Sequence, residues 1–143
     1  GLILESTTFG IENEQERQAR QALDGQRADS ILGNFDQFID EWKKLPIFDS
    51  PKLAEKQQSE IEQVQRAQNP LCCKKKLNLL KMPVQLIAGK KDQKFINIMS
   101  TMQNRISSSS LEVFESANHR VHLDQPEKFI EIIKKFIQTN TLP

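Results

Sequence analysis

Nowhere in these 143 residues does an apolar run approach the roughly 20 residues of a membrane-spanning helix. No basic stretch followed by an apolar run and a small-residue cleavage site marks a signal peptide. The chain has two cysteines, Cys72 and Cys73, and they are adjacent. Neighbouring cysteines are badly placed for an unstrained disulfide and lack the x2 spacing of a metal site, so they read as reduced thiols in a cytosol-like compartment. A net charge of +1 leaves no electrostatic case for a nucleic-acid partner. Repeats of 20–50 residues are absent. So is the Gly-x-Ser-x-Gly elbow that presents a nucleophilic serine at a strand end.

What is present is unevenly distributed. The length favours one domain, yet residues 11–70 carry twelve acids against eight bases while the rest carries seven against twelve. The acid-rich span is almost entirely helix-forming. A polar helix is expected from about Glu12 to Ile31, broken by Gly33-Asn34. A second runs from Asp36 to about Lys44, with Phe35, Phe38, Ile39 and Trp42 on one face, and ends at Pro46. A third runs from Pro51 to about Gln68 and is stopped by Asn69-Pro70. These helices should pack as a lid separate from the strands.

Strand signals flank that span. Leu2–Glu5 is a continuous apolar run, read as a strand buried on both faces. A chain that opens in such a strand is expected to lack an N-terminal portion. Residues 71–82 are basic and read as a solvated connector with a short amphipathic turn at Leu77, Leu79 and Leu80. Strands are expected at Val84–Ala88 and Leu111–Phe114, with helices from Phe95 to about Gln103 and from Gln125 to about Thr139. The last helix should bury Phe129, Ile132, Ile133 and Phe136.

Each of the two later strands runs into a loop that holds one catalytically useful side chain, Asp92 in the first and His119 in the second. Ligands bind open parallel sheets beyond the carboxyl ends of the strands. A histidine can shuttle a proton near neutral pH if a carboxylate fixes its other nitrogen. Asp92 and His119 are therefore expected within hydrogen-bond reach as the acid–base half of a triad. His122, three residues on, competes for the role; alternatively it caps the last helix or faces solvent.

The segments LILES, EWKKLPIF, AGKKDQKF and SANHRVHLDQPEKF resemble the carboxyl-terminal half of the α/β-hydrolase fold. Nearly the whole chain is covered. Within that fold the resemblance is to the 2-succinyl-6-hydroxy-2,4-cyclohexadiene-1-carboxylate synthase family of menaquinone and phylloquinone biosynthesis. The Asp-x-Lys-Phe and His-x-x-His-x-x-x-Pro pieces recur in related hydrolases. The helical insert with Glu-Arg-x-x-Arg, Glu-Trp-x-x-x-Pro-x-Phe and Arg-x-x-Asn is more specific.

The resemblance implies an α/β fold: the carboxyl-terminal part of an α/β-hydrolase parallel sheet with an inserted helical cap. Residues 1–10 would be a core strand and loop, 11–70 the cap and 71–143 the remaining core. It implies Asp92 and His119 as triad members and Arg20, Trp42 and Arg66 as contacts to a small polycarboxylate substrate, for which arginine forks are suited. Arg20 and Arg66 could instead pair with nearby Glu residues on polar helices, and Trp42 could be cap core. The implied reaction is carbon–oxygen lysis with loss of pyruvate, without metal or organic cofactor. The implied location is the cytoplasm, or a plastid in a photosynthetic eukaryote. The family's serine, elbow and oxyanion loop would lie before Gly1, so the missing N-terminal half of the fold is an expected partner. The family's glycine before the histidine is Asn118 here, and the segment from Asn69-Pro70 to Leu79 is shorter. An ester or thioester hydrolase of the same fold, and a non-catalytic remnant, are the alternatives.

Overall fold

A computed structural model describes residues 1–42, 44 and 72–140. The chain divides into two compact units, Gly1–Phe9 with Cys73–Pro143 and Gly10–Cys72. The expected third helix, its Phe48 turn and Arg66 lie outside the described residues.

The first unit is a three-stranded parallel sheet of β1 (Leu2–Glu5), β2 (Val84–Gly89) and β3 (Ser109–Phe114), in the order β1-β2-β3. Parallel neighbours need a crossover. The insert supplies the first, and α3 (Gln93–Gln103) the second. A four-residue helix α4 (Val121–Asp124) and the terminal helix α5 (Pro126–Asn140) follow β3.

Every residue of β2 is buried, including Gln85, because it has a strand on each side and helices on both faces. Alternation along the strand sorts its side chains. Val84, Leu86 and Ala88 join Met99 and Met102 of α3, with Ile106 and Leu77. Ile87 points the other way, into a cluster with Phe114, Ala117 and Val121 that is covered by Phe129, Ile132 and Ile133 of α5. Gln85 meets its polar needs across the sheet: Ser110 Oγ donates to its Oε1 at 2.8 Å.

Three expectations need correction. β1 is half-buried throughout, not buried on both faces; among the described residues it pairs with β2 alone. The intended inner face of α5 is likewise only half-buried. β3 begins at Ser109, two residues before its apolar run, because Ser109 and Ser110 stand opposite Val84 and Gln85 in the ladder. In the connector, a 3-10 helix spans Lys74–Leu79, with Leu77 buried and Leu79 exposed.

The insert leaves the sheet unit at Phe9 and returns at Cys73, and the two residues are bonded to each other. Cys73 N–H donates to Phe9 C=O at 2.8 Å, and Lys74 lies over the Phe9 ring. Sixty-odd inserted residues therefore enter and leave through one closed junction, as tolerated insertions do. Both cysteines are free thiols.

In the second unit, α1 (Glu14–Gly33) is capped by Asn13, whose side chain accepts from Glu16 N–H at 3.0 Å. Asn34 N–H closes α1 on Ser30 C=O, and the Asn34 side chain accepts from Gln37 N–H at the start of α2 (Phe35–Trp42). Among the described residues, no helix is long and apolar enough to cross a membrane.

The core assignment makes a direct test. Leu86→Ala should lower the free energy of unfolding by about 2–5 kcal/mol, whereas Leu79→Ala should change it by no more than about 0.5 kcal/mol. Urea midpoints measure both, and similar losses at the two positions would contradict the assignment.

Candidate active site

The sheet delivers its two functional side chains through one tight turn and one loop. After β2 the chain turns at Gly89–Asp92, closed by Asp92 N–H to Gly89 C=O at 3.0 Å. Asp92 is also the N-cap of α3, and its Oδ1 accepts from Phe95 N–H at 3.4 Å. That bond fixes the carboxylate's direction. The other oxygen, Oδ2, lies 2.7 Å from His119 Nδ1.

His119 reaches Asp92 because the loop after β3 is bonded to the turn after β2. Lys90 N–H donates to Phe114 C=O at 2.9 Å and Lys91 N–H to Ala117 C=O at 3.0 Å. The crossing demands glycine at position 89. A Cβ there would sit 2.0 Å from Asn118 O and 2.5 Å from Ala117 O, both backbone atoms. Ala117 and Val121 are fully buried and anchor the loop on either side of the histidine. The Phe95 ring packs edge-on against the imidazole, with centroids 4.6 Å apart.

A carboxylate only accepts, so Nδ1 carries the proton and Nε2 is the basic nitrogen while the ring is neutral. Nε2 has no hydrogen-bond partner among the described residues. With a quarter of the His119 side chain exposed against an eighth of Asp92, the imidazole is the accessible member of the pair. Such a pair can take a proton from a hydroxyl and return it.

His122 is not the partner of Asp92. It is exposed to solvent, as one alternative had it, and its Nδ1 also lies 2.8 Å from Glu5 Oε2. In the helical unit, Arg20 Nε donates to Asp24 Oδ2 at 2.7 Å and Arg27 Nη1 to Asp24 Oδ1 at 3.2 Å. Arg20 therefore pairs with an acid on its own helix, through a buried carboxylate that also holds Arg27. Trp42 stacks on Phe38 at 5.2 Å, and Arg27 lies over its indole. Neither Asp24 nor Arg27 stood out in the sequence, although the i, i+4 and i, i+3 spacings that join them are visible there. Among the described residues, no group of three His, Cys, Asp or Glu side chains is placed to hold a metal ion.

The fold of the chain recurs in solved structures. MenH from S. aureus matches 97% of the chain with a TM-score of 0.80 and 28% identity. An esterase from Exiguobacterium antarcticum matches 96% with a TM-score of 0.66 and 21% identity, which speaks to fold alone. The fold is that of the α/β-hydrolases. In sequence, the chain is 31% identical, over 95% of its length, to a Bacillus subtilis protein assigned as 2-succinyl-6-hydroxy-2,4-cyclohexadiene-1-carboxylate synthase. No family model matches. The chain spans about half the length of these relatives: 56% of the Bacillus protein and 59% of MenH. Within the α/β-hydrolase fold, the sheet unit supplies the strands that carry Asp92 and His119.

Gly89 gives the site's sharpest structural test. Gly89→Ala should cost about 1–3 kcal/mol or more and displace the backbone at residues 117 and 118. Unfolding curves and the amide shifts of Ala117–His119 report the two effects. An alanine variant with wild-type stability and shifts would refute the close crossing.

Proposed function

We propose that Asp92 and His119 form the acid–base half of the catalytic triad of a carbon–oxygen lyase of menaquinone or phylloquinone biosynthesis. The reaction eliminates pyruvate from a polycarboxylate cyclohexene. The observation that carries the reading is the 2.7 Å bond from His119 Nδ1 to Asp92, in a chain 31% identical to the Bacillus synthase. The proposal concerns the activity of the whole protein. The reading requires a serine nucleophile, and residues 1–143 contain no Gly-x-Ser-x-Gly elbow to present one.

His119 Nε2 takes the serine hydroxyl proton while Asp92 stabilises the imidazolium. The serine oxygen then removes a ring proton from the substrate. The C–H electron pair becomes a ring double bond, and the C–O bond to the three-carbon unit breaks. That unit leaves as an enolate and takes the proton held on His119 Nε2, which gives pyruvate and returns the imidazole to its neutral form. Arg20, Trp42 and Arg66 are proposed to hold the substrate from a helical cap, with the arginines on carboxylates. Asp24 accepts from Arg20 Nε at 2.7 Å and orients its guanidinium. The same Asp92–His119 pair also serves acyl transfer, so an ester or thioester hydrolase is the second reading.

The cap arginines separate the two. In the whole protein, Arg20→Ala should weaken kcat/KM for the carboxylate substrate by about 1.5–3 kcal/mol and leave a neutral ester nearly unchanged. Pyruvate release and ester hydrolysis measure the two rates. Equal losses would mean that Arg20 only holds its helix together, and the hydrolase reading would move ahead.

A further inference from the structure

The four-residue helix α4 follows directly on His119, and its own sequence does not cap it. Its N-cap is Arg120, which makes no side-chain capping bond. The first N–H groups of a helix are unpaired, and an acceptor must come from elsewhere. Glu5, at the carboxyl end of β1 and 117 residues away in sequence, supplies it. Its Oε1 accepts from His122 N–H at 2.9 Å. The same carboxylate meets the His122 imidazole, with Nδ1 at 2.9 Å from Oε1 and 2.8 Å from Oε2. A carboxylate at a helix N-terminus is favoured electrostatically as well. On its other side the segment is closed by Asp124 Oδ2, which accepts from Asn118 N–H at 2.7 Å. His119 thus sits in a short arch. Asp124 closes it within the chain, and Glu5 ties its far limb to β1, the strand that carries neither Asp92 nor His119.

We propose that Glu5 is a positioning residue for His119: it caps α4 from β1 and grips His122, and so holds the imidazole of His119 on Asp92. Sheet geometry brings the two loops together, buried Val121 anchors the segment beyond His119, and Glu5 adds the polar tie from β1 that fixes its far limb. The histidine three residues after the functional one is then the handle by which the sheet orients it. The inference rests on the proposed role of His119. Its readouts are bond geometry and local opening, so it can fail while pyruvate release succeeds, and the reverse.

The test uses the 143-residue chain with Glu5→Ala and Glu5→Gln. Two signals are read by NMR: the low-field Nδ1 proton of His119 on Asp92, and amide hydrogen exchange across residues 118–124. In Glu5→Ala the Nδ1 proton should broaden or vanish, and exchange in the segment should rise roughly tenfold or more. Exchange at Leu86 and Ile87 should stay as in the wild type. Glu5→Gln keeps an oxygen for the His122 N–H and should fall between. Should Glu5→Ala not fold, His122→Ala removes the imidazole contacts, keeps the backbone cap and should give the smaller version of both changes. An unchanged Nδ1 proton, or exchange that rises equally in β2 and the segment, would show that Glu5 only stabilises the fold and would overturn the proposal.

Discussion

Asp92 divides its carboxylate between two duties. One oxygen caps α3 and the other holds the imidazole of His119. A capping side chain is fixed in direction by the helix it caps. The acid therefore meets the histidine already oriented, and little freedom is lost when the pair forms. What remains is to bring the histidine to it, and most of the described sheet unit serves that end.

The delivery depends on backbone, not on side-chain attraction. β2 and β3 run parallel in register, so their carboxyl ends lie side by side. The loops beyond them are bonded through Lys90 and Lys91 amides, and Gly89 lets the histidine loop cross at a distance that no side chain permits. Buried Ala117 and Val121 anchor that loop in the same cluster as Ile87 and Phe114. Packing, register and site geometry are thus one set of constraints. The helical unit has a comparable device on a smaller scale, a buried Asp24 that holds Arg20 and Arg27, with Arg27 over Trp42.

Apolar runs bounded by turn residues showed the three strands, and the position of Asp92 and His119 just beyond two of them suggested their meeting. The bounds were less legible. Ser109 and Ser110 look like loop because their place in the ladder comes from partners across the sheet, Gln85 among them. α3 starts two residues before its apolar face because Asp92 caps it, and a residue read for its chemistry hid its structural duty. Four residues are too few to show a helical period, so α4 was invisible. The grip of Glu5 on His122 spans almost the whole chain and leaves no local signal. Pairing of Arg20 with a nearby acid was legible from helical spacing, but the burial that singles out Asp24 and brings Arg27 onto it leaves no local signal.

The central claim is that the Asp92–His119 bond makes Nε2 of His119 the working base. Asp92→Asn tests it closely, because asparagine keeps an oxygen to cap α3 while it loses the charge and the tautomer control. Steady-state pyruvate release by the whole protein is the measurement. The account predicts that kcat falls by about 10⁴-fold, as it does when this carboxylate is neutralised in a serine triad, with KM little changed. A variant whose kcat stays within about tenfold of the wild type would contradict it, because a base that works without its carboxylate is not this pair.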